Sequence, residues 1–294
     1  MESVQPRQIL PGATYLVTRR CTQRQFLLVP KRRTTEIFRY CLAYAAQQTG
    51  VDVHAVVVMS NHYHLVVTDP RGVLPLFVEC LNKLVAKCLN ASLGRWENFW
   101  ASEPASYVRL LDADAVIDKL AYLLANPVEA GLVEYGKDWP GLRLGRPGSH
   151  PVRRPEIFFR EEGTMPKSLR LELTPPPGLA DRQARKRIEE IVAAREREAR
   201  ARIRGAGRAF LGARAVLCQS PFDSPLTLEP RRQMSPRIAS RNKWLRIETL
   251  TRCADFVRDH GQALACWLEG KRTIIFPAGT YLMRIRHNAR CAET

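Results

Sequence analysis

Two histidines in the chain are spaced so that they could hold a metal ion. His62 and His64 flank Tyr63 in an apolar, β-branched segment that is predicted to be a strand. Side chains two apart on a strand point to the same face, so both imidazoles share one face and Tyr63 points to the other. Imidazole is the commonest metal-binding side chain. A bound metal is one interpretation of this pair, and two histidines that only pack or hydrogen-bond are the other.

A tyrosine and an asparagine further along the chain could share one helix face. Tyr122 and Asn126 are four residues apart, and on a helix such a pair has its Cβ atoms about 5–6 Å apart. A tyrosine hydroxyl, with an ordinary pKa of about 10, becomes a nucleophile only when it is oriented and its negative charge is stabilised. A core aromatic is the alternative interpretation, although Leu120, Leu123 and Leu124 already supply an apolar stripe for this helix.

The elements that must position these side chains follow from apolar periodicity and from turn-forming residues. Strands are predicted over residues 13–19, 53–59 and 62–68 and around 107–108. Helices are predicted over residues 33–48, 73–93 and 112–126. Asp112 or Asp114 would cap the last helix, and Pro127 would stop it because proline has no amide hydrogen to donate. This alternation predicts an α+β sandwich with a central antiparallel sheet and flanking helices.

The composition indicates a globular protein with an anionic partner. The 294 residues include 46 Lys and Arg against 29 Asp and Glu, a formal net charge of +17. Hydrophobic residues make up 45% of the chain, which excludes a wholly disordered or collagen-like protein. The charge is uneven, with a net +4 over residues 1–150 and +13 over residues 151–294. Such a surplus favours nucleic acid, because Lys and Arg that neutralise phosphates release condensed counterions, although a merely basic protein is the alternative.

The second half of the chain is predicted to begin with a linker. Residues 146–180 are rich in proline and glycine and are interpreted as a linker. Residues 181–204 form a charged helix whose Glu–Arg spacings fit ion pairs on a solvated face as well as contacts to DNA. After a proline-containing loop at 220–236, a partly helical segment over 244–268 and a strand-like segment over 273–285 follow. The aromatic residues expected to pack a small core here are Trp244, Trp267, Phe276 and Tyr281.

The sequence does not indicate a membrane protein or a secreted protein. No apolar window reaches the length of about 18 residues that a membrane span needs. The first residues contain no apolar run of the signal-peptide type. The eight cysteines are scattered without any Cys-x-x-Cys pair, so reduced thiols in the cytoplasm are expected rather than a disulfide framework or a zinc ribbon.

Taken together, the two motifs resemble those of one enzyme family. The stretch from Val56 to Val67, which contains both histidines, resembles the His-hydrophobic-His strand of single-tyrosine transposases of the insertion-sequence type. The stretch from Tyr122 to Val133 resembles their tyrosine helix, and its Asn-Pro-Val sequence is most similar to the branch called REP-associated tyrosine transposases. Both motifs occur in the order of the family, with 58 positions from the second histidine to the tyrosine, and the resemblance covers about residues 8–145.

The resemblance implies a catalytic centre. In that family two histidines and an amide from the tyrosine helix hold a divalent metal, which here implies His62, His64 and Asn126 as ligands. Relatives often carry glutamine at the position of Asn126. Phosphate and carbonyl-type ligands suit Mg²⁺ or Mn²⁺. Tyr122 is then the nucleophile, and the products are a 5′-phosphotyrosine and a free 3′-hydroxyl.

The resemblance also implies the fold, the partner and a division of the chain. The fold would be a ferredoxin-like α+β sandwich followed by a basic C-terminal extension. The expected activity is metal-dependent, site-specific cleavage and strand transfer of single-stranded DNA, in transposition or on repeats that form hairpins. The chain is predicted to divide into a catalytic domain at 1–145, a linker at 146–180 and a basic region at 181–294. A cytoplasmic, nucleoid-associated protein without membrane contact is expected, as a monomer or a homodimer.

Two other functions fit parts of the pattern. A nucleic-acid-binding regulator on the same scaffold would have lost catalysis, but Tyr122, His62 and His64 are all retained. An unrelated metallohydrolase that uses the histidine pair would need further His, Asp or Glu ligands close by in the sequence, and the segments around the pair offer none.

Overall fold

The computed structural model describes residues 5–156, 165–227 and 237–293. Residues 228–236, which belong to the predicted loop at 220–236, lie outside these ranges. Within the described ranges, no helix combines the length and the apolar character that crossing a membrane requires.

The strands and helices alternate along the first half of the chain, as predicted. Strands β1–β8 are, in chain order, Ala13–Arg20, Asp52–Val58, His62–Asp69, Ser106–Leu110, Arg143–Leu144, Gly148–Arg153, Ser168–Leu173 and Ile238–Ala239. Helices α1–α7 are Arg32–Thr49, Leu74–Leu93, Ala113–Glu129, Arg182–Gly205, Ala213–Leu217, Lys243–Leu268 and Leu282–His287. A tight turn at Thr22–Arg24 and a short 3-10 helix at Gly136–Asp138 lie in connections.

Within the described residues, the strands form one mixed sheet of eight strands whose centre is antiparallel. The order β4-β1-β3-β2 places antiparallel neighbours side by side. With α1 and α2, these strands follow the chain order βαββαβ, which is the ferredoxin-like arrangement. The α+β class predicted from the sequence is therefore confirmed. The sheet as a whole is not purely antiparallel, because β7 joins β2 and β8 joins β4 in parallel pairs.

Side-chain alternation gives the central strands two buried faces. Helices α1 and α2 cover the face formed in β3 by Tyr63, Leu65 and Val67. Helices α3 and α4 cover the opposite face, to which β3 contributes Val66. Because side chains two apart share a face, His64 belongs with Val66 on the side of α3.

Helix α3 continues past the predicted stop at Pro127 and ends at Glu129. Its N-cap is Asp112, whose carboxylate accepts a hydrogen bond of 2.7 Å from the amide of Ala115. Pro127 lies in the last turn, where it cannot donate the helical bond to residue 123 and its ring crowds that carbonyl, and the helix ends two residues later. Gly131, with a φ of 73°, then turns the chain away from the helix end.

Two segments of the second half differ from the sequence prediction. Residues 146–180, predicted as a linker, contribute strands β6 and β7 to the sheet. The strand β6 tolerates Pro151 because it lies at the edge of the sheet. Residues 273–285, predicted as a strand, form an isolated bridge at Phe276 and then enter helix α7. The division of the chain into domains at 145 and 180 stays a prediction.

The predicted small C-terminal core is present with two of its four predicted aromatic members. Phe276 is fully buried and Trp267 packs against the same small cluster. Tyr281 is buried against the larger core under α1 and α2. Trp244 is 76% exposed at the start of α6, so the prediction was wrong for this residue.

Helix α4 docks on α3 through both apolar contacts and ion pairs. Its residues Ala184 and Ala199 belong to the core on the α3 side of the sheet. Arg195 donates to a carboxylate oxygen of Asp118 at 2.7 Å and to one of Glu129 at 3.1 Å. Ion pairs therefore link α4 to α3, and the i,i+4 pairs expected from the sequence also occur within α4, as between Lys186 and Glu190. A chain ending near residue 144 would uncover this core, so point substitutions are the appropriate tests of the second half.

Replacing Arg195 by methionine is expected to lower the free energy of unfolding by about 1–2 kcal/mol, because two charge-assisted hydrogen bonds are lost while the aliphatic stem is kept. Burial alone would raise the pKa of Asp118, but hydrogen bonds from Lys119 and Arg195 lower it overall. A carboxylate whose pKa is lowered by folding stabilises the protein above its unfolded pKa of about 3.9, and this contribution is lost as the pH falls through the folded value. Denaturant unfolding should therefore show a smaller difference between variant and wild type at about pH 3 than at neutral pH.

The matched control is Arg252→Met on α6, where the arginine pairs with Glu248 one turn earlier and both side chains are exposed. That change should cost less than about 0.5 kcal/mol at any pH. If both substitutions lower the free energy of unfolding equally, the ion pairs between α3 and α4 stabilise the protein no more than an exposed surface pair does.

Candidate active site

The first residues of β3 place both histidines on the face that α3 covers. The ring centroids of His62 and His64 are 4.8 Å apart, with the ring planes at 81°. Strand alternation therefore brings the imidazoles together, as predicted from the sequence.

His64 is held deep in the site by the neighbouring strand. It is 5% exposed, and its Nδ1 forms a 2.7 Å hydrogen bond with Oγ1 of Thr18, its direct partner in the β1–β3 pairing. Burial lowers the pKa of His64 well below its ordinary value, and the positive charges of His62 and Arg20 lower it further. The ring is therefore neutral at neutral pH, so that Nε2, the ring nitrogen not bonded to Thr18, can act as a metal ligand.

His62 is oriented by a side-chain amide whose own orientation is set by the backbone. Nδ2 of Asn61 donates to the carbonyl of Arg24 at 3.2 Å, which turns Oδ1 of Asn61 towards Nδ1 of His62 at 2.7 Å. An amide oxygen only accepts hydrogen bonds, so Nδ1 of His62 carries the proton and, in the neutral ring, Nε2 carries the lone pair. Arg24 and its neighbour Gln23 have φ values of 58° and 47°, a left-handed conformation that costs energy outside glycine and is found preferentially at functional sites.

Helix α3 brings Tyr122 to the buried histidine. The ring centroid of Tyr122 lies 5.4 Å from that of His64 in an edge-on contact at 70°. The ammonium group of Lys119, one turn earlier, lies 5.9 Å from the centroid of the tyrosine ring. Tyr122, the tyrosine singled out in the sequence, thus contacts His64, which lies 58 positions earlier in the chain.

Asn126 lies one turn after Tyr122 in the same uninterrupted helix and is 8% exposed. Because α3 does not stop at Pro127, both residues occupy helical positions four apart and share a helix face. The role of Asn126 as a third ligand stays a prediction.

Tyr63 points away from the histidines, as strand alternation predicts. Its ring packs against Phe38 of α1 at a centroid distance of 5.2 Å, and its hydroxyl donates to Oδ1 of Asn82 on α2 at 2.8 Å. Burial raises the pKa of Tyr63 far above its ordinary value. Tyr63 is therefore a core residue, and Tyr122 is the tyrosine that accompanies the histidine pair.

The donor set fits a divalent metal that keeps several open positions. Both Nδ1 atoms are engaged by Thr18 and Asn61, an arrangement that in metal sites orients the remaining nitrogen towards the ion. In the part of the chain that the structure describes, no group of three His, Cys, Asp or Glu side chains could hold a metal. The remaining ligands would therefore be neutral oxygens or phosphate oxygens, which suit Mg²⁺ and Mn²⁺.

The two residues that orient the histidines were not singled out from the sequence. Asn61 directly precedes the histidine pair, and that adjacency is the signal that could have identified it. Thr18 could have been found only from the register of β1 against β3, which pairs it with His64.

Replacing Thr18 by valine is expected to weaken Mn²⁺ binding about tenfold, because valine has the same shape but cannot bond Nδ1 of His64, and such partners typically contribute 10–100-fold. Isothermal titration calorimetry with Mn²⁺ measures the effect. Thr14→Val on the same strand is the matched control, since Thr14 bonds Thr68 at 2.8 Å and no histidine of the pair. An equal change in both variants would mean that the Thr18 bond does not orient a ligand.

No protein-family model matches this chain, and no curated protein matches it. Among solved structures, the chain is similar to a REP-associated tyrosine transposase bound to a REP hairpin, with 20% identity, a TM-score of 0.41 and coverage of 47% of this chain and 81% of that one. It is also similar to a protein from Deinococcus radiodurans described as a candidate transposase, with 19% identity, a TM-score of 0.30 and coverage of 40% of this chain and 92% of that one. At these scores the likenesses carry no residue role or substrate over to this chain.

Proposed function

We propose that this protein is a metal-dependent nuclease and strand transferase that cleaves single-stranded DNA through a covalent bond to Tyr122. The observation that carries the proposal is the cluster of Tyr122 with the histidine pair, in which the tyrosine ring lies 5.4 Å from His64 and the two imidazoles lie 4.8 Å apart. A tyrosine beside two oriented, metal-competent imidazoles has the parts that phosphoryl transfer needs, namely a nucleophile and a place for a cation that neutralises phosphate charge.

The reaction balances on groups that the chain and the DNA supply. The hydroxyl oxygen of Tyr122 attacks a phosphorus atom of the DNA, and the bond from that phosphorus to the 3′-oxygen of the preceding nucleotide breaks. The tyrosine loses its proton, the departing oxygen gains one, and a 5′-phosphotyrosine and a free 3′-hydroxyl result. Because the phosphodiester is exchanged for another diester, a 3′-hydroxyl can attack the phosphotyrosine and rejoin DNA without a nucleotide cofactor.

A divalent ion, Mg²⁺ or Mn²⁺, would be held by His62, His64 and Asn126. When bound, it would polarise the scissile phosphate and neutralise the charge that develops during the transfer. The chain contributes the orientation of this site. Thr18 and Asn61 set the imidazoles, and the continuous helix α3 places Asn126 one turn from Tyr122.

The net charge supports DNA as the partner. Residues 151–294 carry a net charge of +13, although part of it is neutralised within the protein by pairs such as Arg195 with Asp118. The unpaired remainder would neutralise phosphates without reading the base sequence. The substrates we propose are single strands that adjoin a hairpin, as in repetitive hairpin elements.

The test uses the full chain, Mn²⁺ and a DNA hairpin with a single-stranded flank, labelled at either its 3′ or its 5′ end. The 3′-labelled DNA should give a slowly migrating band that survives denaturing electrophoresis, because the segment downstream of the cut stays on the tyrosine. The 5′-labelled DNA should give a shortened free strand. DNA binding without either product would contradict the proposal and favour a regulator that has lost catalysis.

A further inference from the structure

A segment of the second half of the chain is seated on the turn that follows β1. The carbonyl of Asp223 accepts a hydrogen bond of 2.9 Å from the amide of Phe26, and the carbonyl of Phe222 accepts one of 3.3 Å from the side chain of Gln25. The carbonyl of Thr227 accepts one of 2.6 Å from the guanidinium group of Arg24. These bonds hold residues 222–227 against the turn at three points.

The aromatic ring on this segment is turned towards solvent. Phe222 is 55% exposed, and the guanidinium carbon of Arg95 lies 6.0 Å from its ring centroid. Arg95 is itself held by a 3.0 Å bond to Oε1 of Gln25. The next residue in the chain, Trp96, is 89% exposed. The ring of Phe222 is exposed, its backbone is held by hydrogen bonds, and an arginine lies beside it. This surface is preorganised for stacking, because little conformational freedom remains to be lost on binding.

This surface is joined to the candidate active site by a short series of contacts. The side chain of Arg24 binds Thr227, and the carbonyl of the same residue accepts the bond from Asn61 that orients His62. On the other side of the turn, the hydroxyl of Ser60 donates to Oε1 of Gln219 at 2.7 Å. The segment that carries Phe222 is thus hydrogen-bonded to the loop that follows β1 and to the loop that precedes β3.

We propose that Phe222, with Arg95 beside it, is a stacking subsite for a nucleobase of the single-stranded DNA that passes the histidine pair. This inference rests on the proposed function and adds a binding role for residues 219–227. Every base presents a π-face, so an aromatic platform binds single strands with little sequence preference, and an adjacent arginine adds a cation–π contribution.

The charges around the platform favour base stacking over phosphate binding. In the sequence, Asp223 follows Phe222 and Glu97 follows Trp96, so the short segments that carry these rings contain carboxylates as well as the cation Arg95. A subsite whose main role was to neutralise phosphate would bind more weakly with these carboxylates present, because they repel the phosphate charge. Stacking of the uncharged face of a base on the ring is not weakened by them.

The test compares full-chain variants in binding to two fluorescent probes, an oligo-dT and an abasic oligomer of the same length. Phe222→Leu, which keeps an apolar side chain without the π-face, should weaken oligo-dT binding about fivefold or more. Binding of the abasic oligomer should not change. Phe222→Tyr should bind oligo-dT like the wild type, and so should the control Trp244→Leu, which removes an exposed aromatic from α6.

Two results would overturn the subsite. An unchanged affinity of Phe222→Leu for oligo-dT would show that the ring does not stack on a base. An equal loss with both probes would show that the substitution disturbs the fold of the segment. The proposed function is judged separately, by whether the wild type forms the covalent adduct with hairpin DNA, a result that does not depend on Phe222.

Discussion

Tyr122→Phe is expected to abolish the covalent protein–DNA adduct, with a loss of about a thousandfold or more in its rate of formation. The substitution keeps the ring, and with it the edge-on contact to His64 and the contact to Lys119, and removes only the hydroxyl. No other atom of this side chain can attack a phosphorus, so the loss is chemical rather than structural. The measurement is the yield of labelled adduct against time, with 3′-labelled hairpin DNA and Mn²⁺ on a denaturing gel.

The matched control is Tyr135→Phe. Tyr135 is another partly exposed tyrosine, whose ring packs on the guanidinium group of Arg200 at 4.7 Å. Its variant should form the adduct at the wild-type rate. Thermal unfolding of both variants should match the wild type, since neither loses buried apolar volume. An adduct formed by Tyr122→Phe at the wild-type rate would assign the nucleophile to another residue.

The second large effect is expected from His64. His64→Ala should weaken Mn²⁺ binding about a hundredfold or more and remove metal-dependent cleavage, because an ion that keeps several of its waters depends on each protein ligand it has. Calorimetric titration with Mn²⁺ measures the first effect, and the adduct assay over a range of Mn²⁺ concentrations measures the second. A large excess of Mn²⁺ should restore part of the cleavage if the loss is one of metal affinity.

A second substitution at this position distinguishes the loss of a metal ligand from a loss of stability. His64→Asn places an amide near the location of Nδ1, where it can still bond Thr18, but has no atom in the place of Nε2. This variant should be as stable as His64→Ala or more stable, and equally deficient in Mn²⁺ binding. His287→Ala, at the exposed end of α7, serves as the control and should bind Mn²⁺ like the wild type. Normal Mn²⁺ affinity in His64→Asn would remove the histidine pair from any metal site.

The sequence was informative about the site wherever the pattern was local. Strand alternation placed the two histidines of β3 on one face and Tyr63 on the other, and the structure shows both. The helical spacing placed Tyr122 and Asn126 in one helix. The end of that helix was mispredicted, because Pro127 was taken as a stop although α3 continues to Glu129.

Contacts between segments distant in the chain were not predictable in the same way. The prolines of residues 146–180 indicated a linker, but their neighbours pair with β2 and widen the sheet. The charged pattern of α4 fits ion pairs and DNA contact equally well. Only its position on α3 shows that Arg195 faces Asp118 and Glu129.

The sequence by itself determined the fold class, the shared face of His62 and His64, and the helix of Tyr122, since periods of 2 and 3.6 residues reflect which side each residue buries. The tertiary structure alone decided that Tyr122 meets His64, that Thr18 and Asn61 orient the imidazoles, and that α4 covers the tyrosine helix. These contacts join residues from 18 to 195, and they depend on strand register and helix packing, which are set by the fit of complementary surfaces and not by any single segment.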